Sequence, residues 1–161
     1  MNRPLHLLFD WGDTLMADLP AQQGSMWRWP EVRAMPGASE TLAVLAARRP
    51  CHLATNAAES GGDEVRRALA RVGLDGLIGH VFCRRELGLA KSDPAFYRRI
   101  AAELGVAPGA LWMIGDSLAH DVQSARAAGL HAVWLNPARL PVPAGVTAIA
   151  ALPELIGLLP D

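Results

Sequence analysis

Cysteine is scarce in this chain: Cys51 and Cys83 are the only two among 161 residues. Both lie in apolar, strand-like stretches, so we expect buried free thiols, although the sequence by itself also permits a disulfide between them. Buried free thiols are typical of a reducing cytosol, so a cytoplasmic location is expected. The five histidines show no spacing of the kind that binds zinc, and no zinc site is predicted.

The chain also lacks a strong charge of one sign and any long apolar run. Its formal net charge is −1, and no basic stripe is visible, which argues against a nucleic-acid partner. No apolar run is long enough to cross a bilayer, so no membrane partner is expected. Pro4, His6 and Asp10 interrupt the apolar residues near the N-terminus, a pattern unlike that of a signal peptide.

What the chain does have is a regular alternation of strand and helix patterns. Its 161 residues, 51% of them hydrophobic, suit one domain over residues 1–161. Strands are predicted over residues 4–10, 51–55, 80–83, 111–114, 131–135 and, at an edge, 147–150. Helices are predicted over residues 37–49, 62–72, 93–104, 118–128 and 153–159. This alternation predicts an α/β fold, a doubly wound, Rossmann-like parallel sheet with helices on both faces.

Two proline-rich segments interrupt this alternation. Residues 16–36 contain three prolines together with Trp27 and Trp29. The segment directly follows the first predicted strand, so we expect it to lie over that strand's tip as a short cap-like loop. Packing is the default expectation for its two tryptophans, with a lip around a substrate as the alternative. Residues 136–145, which also contain three prolines, are expected to form a surface connection.

Polar side chains gather where the predicted strands end and the following helices begin. They are Asp10, Thr55-Asn56, Lys91, Asp116-Ser117 and Asp121. In a parallel sheet the carboxyl ends of the strands lie at one edge, so these side chains are expected to meet. Carboxylate oxygens suit Mg²⁺, and a lysine at a helix start can neutralise a phosphate. One edge of the sheet is therefore predicted to hold a divalent cation and a phosphate together.

These residues, in this order, resemble four motifs of the haloacid dehalogenase-like hydrolase superfamily. The motifs are Asp10-Trp11-Gly12-Asp13-Thr14, Thr55-Asn56, Lys91-Ser92-Asp93-Pro94 and Gly115-Asp116-Ser117 with Asp121. The resemblance covers residues from about 5 to 135. It implies a Mg²⁺-dependent hydrolase, in the first place a phosphatase that cleaves the phosphate monoester of a small molecule through an aspartyl-phosphate intermediate.

The resemblance also implies a role for each matching residue. Asp10 would be the nucleophile, and Thr55, Asn56 and Lys91 would bind the phosphoryl group. The Mg²⁺ ion would be held by the Asp10 carboxylate, the backbone carbonyl of Gly12, Asp116 and Asp121.

The first motif departs from the phosphatase pattern. In phosphatases of the superfamily the residue two positions after the nucleophile is an aspartate that acts as acid and base, and here it is Gly12. General acid–base assistance is typically worth roughly 10²–10⁴-fold in rate. Asp13 lies one position later, and the flexibility of Gly12 makes Asp13 a candidate for the displaced catalytic group. The sequence therefore resembles a capless or minimally capped member with a variant first motif.

Three other functions fit part of the pattern. A degenerate domain of this superfamily would bind a phosphorylated ligand or a protein partner with little turnover. A phosphonatase or dehalogenase also lacks the second aspartate, but it carries a helical cap domain for which residues 16–36 are too short. A receiver domain would place its lysine last, whereas Lys91 precedes Asp116 and Asp121. An open site of this kind suits large substrates or gains a lid from a second subunit, so a homodimer is left open.

Overall fold

All six strands of the sheet run parallel in a computed structural model that describes residues 5–161. The strands are β1 (His6–Phe9), β2 (Cys51–Thr55), β3 (Val81–Cys83), β4 (Leu111–Gly115), β5 (His131–Leu135) and β6 (Thr147–Ile149). The helices are α1 (Ala38–Ala46), α2 (Gly62–Arg71), α3 (Arg84–Leu87), α4 (Ala95–Leu104), α5 (Ser124–Ala127) and α6 (Glu154–Leu158). A π-helical turn, Leu118–Gln123, leads into α5.

The strand order is β3-β2-β1-β4-β5-β6. The central strand β1 pairs with β2 on one side and β4 on the other, so that Leu8 lies opposite both His52 and Met113. The chain leaves β1 toward one side of the sheet and returns beside it as β4. Sheets of this type bind ligands in the crevice at such a switch point, outside the carboxyl ends of the strands. The predicted doubly wound α/β fold is confirmed.

Alternate side chains of β1 supply the two halves of the core. Leu7 and Phe9 pack on one face of the sheet with Leu42 of α1, whereas Leu8 packs on the other face with Phe96 of α4. All five side chains are fully buried, and each such burial contributes roughly 1.5–3 kcal/mol to the free energy of unfolding. This packing fixes the strand that ends at Asp10.

Most predicted elements are present, with shifted ends. The first strand begins at His6, and its predicted start at Pro4 lies outside the described residues. The short helix α3 lies in a stretch predicted as loop, and the helix predicted over residues 118–128 begins as the π-helical turn rather than as an α-helix. Cys51 and Cys83 are buried and free, as expected. No helix within residues 5–161 has the length and apolar character needed to cross a membrane.

Residues 16–36 form a loop, with a single 3-10 turn, that is closed at its base and held by α2 at its centre. The N–H of Ala17 donates to the carbonyl of Arg33 at 2.9 Å, which closes the base of the loop. At its centre, Nη1 of Arg71 in α2 donates to the carbonyls of Trp27 and Trp29 at 3.1 and 2.5 Å. Trp29 is buried. The loop is thus held against α2, and the packing expected for Trp29 is observed.

Candidate active site

The side chain of Lys91 lies between two carboxylates under the carboxyl ends of the strands. Its Nζ atom lies 2.7 Å from Oδ1 of Asp10 and 2.8 Å from Oδ1 of Asp121. Asp10 directly follows β1, whereas Asp121 lies in the π-helical turn after β4. Residues far apart in the sequence therefore meet at the switch point of the sheet.

The backbone around Lys91 is fixed from two sides. Its N–H donates to Oδ1 of Asn56 at 3.0 Å, and its carbonyl accepts a hydrogen bond from the hydroxyl of Ser124. Only 1% of the Lys91 residue is exposed. Such burial alone would lower the pKa of the ammonium group, but the carboxylates of Asp10 and Asp121 more than offset it and raise the pKa. Lys91 therefore stays charged at neutral pH.

The carboxylates in this cluster carry more charge than the ammonium can balance. Burial raises the pKa of Asp10 to about 6, with Lys91 opposing the shift and Asp116 adding to it. Burial also raises the pKa of Asp121, again against the effect of Lys91. Because three carboxylates face one ammonium, the cluster keeps an excess of negative charge that a divalent cation would offset.

The oxygen atoms of three carboxylates lie close enough to share one cation. One oxygen each from Asp10, Asp116 and Asp121 lies within 4.8 Å of the other two. The hydroxyl of Thr14 lies 3.3 Å from both Oδ2 of Asp10 and Oδ1 of Asp116. The indole N–H of Trp134 donates to the carbonyl of Asp116 at 3.0 Å. A hard, all-oxygen set of this kind, oriented by surrounding hydrogen bonds, fits Mg²⁺.

Gly115 and the π-helical turn place Asp121 in the cluster. A Cβ atom on Gly115 would lie 2.2 Å from Oδ2 of Asp121, so no larger residue fits without displacing that carboxylate. The same Oδ2 accepts the N–H of Ser117 at 2.9 Å. The hydroxyl of Tyr97 donates to the carbonyl of His120 at 2.7 Å and holds the turn from α4. π-helical turns often occur at functional sites, and here the turn presents Asp121 to Lys91.

A cavity of about 440 Å³ lies between the strand ends and the loop of residues 16–36. Its lining includes Asp10, Gly12, Asp18, Trp29, Thr55 and Asn56. The hydroxyl oxygen of Thr55 accepts the N–H of Ala57 at 3.1 Å, which orients the hydroxyl at the end of β2. None of the described residues that line the cavity is a lysine, an arginine or a histidine.

Asp13 faces away from this cavity. The residue has a left-handed backbone, with φ of 58°, and its side chain is exposed. Its Oδ1 atom accepts the N–H of Asp18 at 2.9 Å. The structure thus does not bring Asp13 together with Asp10 and Lys91, because the turn after Gly12 directs its carboxylate toward the backbone of the loop.

The structure brings together most of the residues expected from the motifs. Asp10, Lys91, Asp116 and Asp121 form the charged cluster, and Thr55 and Asn56 line the cavity above it. Gly12 lines the same cavity, and the role of its carbonyl as a metal ligand stays a prediction.

Ser124 and Asp18 are among the site residues that were not singled out from the sequence. Ser124 binds the carbonyl of Lys91, and Asp18 lines the cavity. Ser124 follows the fourth motif in a helical pattern, where a serine carries no signal of its own. Asp18 lies five residues beyond Asp13, outside every motif, so only the path of the loop identifies it.

Comparison with known proteins agrees with this geometry. The sequence profile of the haloacid dehalogenase-like hydrolase family matches residues 7–129. A phosphoserine phosphatase of Thermus thermophilus is 36% identical over 107 residues, which are 66% of this chain and 43% of that protein. The pyrimidine 5'-nucleotidase PynA of Streptococcus pneumoniae is 37% identical over 73 residues, 45% of this chain and 31% of that protein.

A solved structure covers nearly the whole chain. An uncharacterised protein from Listeria monocytogenes serotype 4b has a TM-score of 0.81 and 26% identity, covering 96% of this chain and 97% of that one. By contrast, this chain spans less than half the length of the two curated relatives above. The range matched by the family profile, residues 7–129, includes all four residues of the charged cluster.

Proposed function

Since this chain belongs to the haloacid dehalogenase-like hydrolase family, we propose that it is a Mg²⁺-dependent phosphatase that hydrolyses a phosphate monoester through an aspartyl-phosphate on Asp10. The observation that carries this proposal is the position of Asp10 at the tip of β1, 2.7 Å from Lys91 and open to the cavity. The names of the two curated relatives, a phosphoserine phosphatase and a pyrimidine 5'-nucleotidase, support the reaction type.

Asp10, Asp116 and Asp121 would hold the Mg²⁺ ion, together with the carbonyl of Gly12. When bound, the ion supplies positive charge that lowers the repulsion between an anionic nucleophile and an anionic phosphate. Thr14 holds two of these carboxylates in place through its hydroxyl. Lys91 stays paired with Asp10 and Asp121, so its charge is already oriented before substrate enters.

The chain's own residues then perform a two-step displacement. A carboxylate oxygen of Asp10 attacks phosphorus, and the ester oxygen leaves with the electron pair of the broken P–O bond. The hydroxyl of Thr55, held by the N–H of Ala57, donates its hydrogen to a phosphoryl oxygen. The side-chain oxygen of Asn56 accepts the backbone N–H of Lys91. Its side-chain NH₂ group is therefore left to donate to a phosphoryl oxygen. Water then attacks the phosphorus and releases phosphate from Asp10.

The lining of the cavity favours a substrate whose alcohol part is neutral or positively charged. Asp10, Asp18 and Glu59 are acidic, and no basic side chain joins them among the lining residues described. We expect phosphoethanolamine, phosphoserine or a pyrimidine 5'-nucleotide to exceed phosphoglycolate by at least about tenfold in kcat/KM, because opposing like charges costs free energy. A preference for phosphoglycolate would contradict this selection.

A metabolite screen with and without Mg²⁺ tests the proposed reaction. We expect phosphate release that a chelator abolishes and that the Asp10→Asn variant lacks. Binding of phosphorylated ligands without any turnover would instead support the degenerate domain. Release of halide from haloacids, or of phosphate only from phosphonates, would replace the phosphatase by one of the other two hydrolases.

A further inference from the structure

The side chain of Asp18 lies beside Gly12, the position at which the catalytic aspartate is missing. An ideal Cβ atom on Gly12 has three nearest neighbours, and all three belong to Asp18: Cβ at 3.6 Å, Cγ at 3.9 Å and Oδ2 at 3.9 Å. A Cβ atom at position 12 would therefore lie in van der Waals contact with the Asp18 side chain, 3.9 Å from its Oδ2 atom. The φ of Gly12 is not positive, so the position has no conformational need for glycine.

Two backbone hydrogen bonds fix the path of the loop that brings Asp18 to this position. The N–H of Asp18 donates to Oδ1 of Asp13 at 2.9 Å. One residue earlier, the N–H of Ala17 donates to the carbonyl of Arg33 at 2.9 Å. The left-handed turn at Asp13 thus holds the backbone of Asp18. The carboxylate of Asp13 is already occupied by this hydrogen bond.

Asp18 lines the same cavity as Asp10, Thr55 and Asn56. It is exposed, so solvent water can reach its carboxylate. On the basis of the proposed phosphatase function, we infer that Asp18 is the general acid–base residue that replaces the one missing at Gly12.

The proton balance of the two steps follows from this position. In the first step the protonated carboxyl of Asp18 gives its proton to the ester oxygen as the P–O bond breaks, and the alcohol leaves. In the second step the Asp18 carboxylate takes a proton from water as that water attacks the phosphorus. Phosphate leaves, Asp10 is regenerated, and Asp18 returns to its protonated form.

Leaving-group dependence distinguishes this chemistry from a structural role. We compare the Asp18→Asn variant with wild type on an alkyl phosphate, whose alcohol needs a proton to leave, and on p-nitrophenyl phosphate, whose phenolate does not. We expect kcat/KM, which reports the first step, to fall roughly 10²–10⁴-fold for the alkyl ester, the usual contribution of general acid catalysis, and far less for the aryl ester. Loss of the base slows the second step for both esters alike, so kcat does not distinguish them. The Glu31→Gln variant, in the same loop and paired with Arg33 on the surface, should match wild type on both substrates.

A second variant shows whether the loss of activity comes from the missing carboxylate or from a change in the loop. Adding Gly12→Asp to Asp18→Asn returns a carboxylate to the same place, and we expect it to recover a large part of the alkyl phosphatase rate. Equal losses of kcat/KM on both esters, or no loss on either, would overturn the inference. So would the selective loss appearing in Asp13→Asn instead. These outcomes differ from a failure of the proposed function, in which wild type would hydrolyse neither ester.

Discussion

The buried ionisable groups at the two ends of the parallel strands differ in their charge. At the carboxyl ends, the groups are charged and paired, with Lys91 within 2.8 Å of the carboxylates of Asp10 and Asp121. At the amino ends, His52 is buried, and its imidazole ring stacks on that of the half-buried His6 with centroids 5.3 Å apart. The cluster at the carboxyl ends keeps an excess of negative charge, whereas the buried imidazole at the amino ends is neutral.

Hydrogen bonds hold His52 in one neutral tautomer. Its Nδ1 atom accepts the N–H of His80 at 3.1 Å, so the ring hydrogen lies on Nε2 and is donated to Nδ1 of His6, also at 3.1 Å. Burial, and then the nearby His6 and His80 rings, lower the pKa of His52 to about 4. The histidine cluster is therefore satisfied by itself, whereas the carboxylate cluster is not.

We therefore expect the histidine cluster to contribute to stability and the carboxylate cluster to contribute to function. A buried group that has its full set of partners needs no ligand, because its hydrogen bonds are complete. Three carboxylates beside one ammonium keep an excess of negative charge, which a bound cation can offset. Substitutions at the carboxyl ends should therefore change turnover and metal response, and substitutions at the amino ends should change stability alone.

The largest effect is expected for Lys91→Met. This change leaves Asp10 and Asp121 buried without their ammonium partner, so turnover should fall roughly 10²–10³-fold as charge stabilisation of the phosphoryl group is lost. Breaking a buried pair should also lower the free energy of unfolding by about 3–5 kcal/mol, and Mg²⁺ should recover part of it. Denaturant unfolding with and without Mg²⁺ checks this. Stability independent of Mg²⁺ in the variant would contradict the charge argument.

A smaller effect is expected for Gly115→Ala. Its new Cβ atom would meet the Asp121 carboxylate, so Asp121 must move, with an overpacking cost of about 1–3 kcal/mol and weaker Mg²⁺ binding. Lys91 is the only lysine in the chain, so the NMR signal of labelled lysine reports on this site alone during a Mg²⁺ titration. Gly157→Ala in α6, where an added Cβ meets no described atom within 4 Å, is the matched control. An unchanged titration in Gly115→Ala would count against the placement of Asp121.

The smallest effect on turnover is expected at the amino ends. Because the pKa of His52 falls from 6.5 to about 4 on folding, its contribution to stability is complete above pH 6.5 and is lost as the pH falls toward 4. The total loss from this group is at most about 3.5 kcal/mol, at roughly 1.4 kcal/mol per pKa unit.

The His52→Gln variant isolates this contribution. It should show a flatter dependence of unfolding free energy on pH between 7 and 4, with kcat at pH 7.5 close to that of wild type. His131→Gln, at an exposed histidine, should keep the wild-type slope. A large loss of kcat in His52→Gln at pH 7.5 would remove the separation between the two ends of the sheet.

The charged cluster was predictable from the positions of its members along the chain. Asp10 and Asp116 directly follow strands, and Asp121 lies in the first helical turn after β4. Lys91 lies in the turn just before the helix predicted from residue 93. Alternation of strands and helices locates those points in the sequence, and a parallel sheet then brings them to one edge. The burial of Lys91 and its contact with Asp121 could not be predicted, because they depend on the π-helical turn. That turn is set by long-range contacts, including the bond from Tyr97 to His120.

The loop of residues 16–36 shows where the sequence is insufficient. Its course depends on the left-handed turn at Asp13 and on Arg71, which holds two of its carbonyls from α2. No local sequence pattern predicts either feature. An aspartate adopts positive φ in only a few cases, and an arginine on a helix is usually solvated. The position of Asp18 over Gly12 follows from these contacts.

Trapping of the phosphoenzyme tests the central claim most directly. Wild-type protein is mixed with a labelled phosphate monoester and Mg²⁺, quenched in acid during turnover, and digested to peptides. We predict label on the peptide that contains Asp10, released by hydroxylamine as expected of an acyl phosphate, and no label in Asp10→Asn. Turnover without label on Asp10, or label retained in the Asp10→Asn variant, would contradict the account.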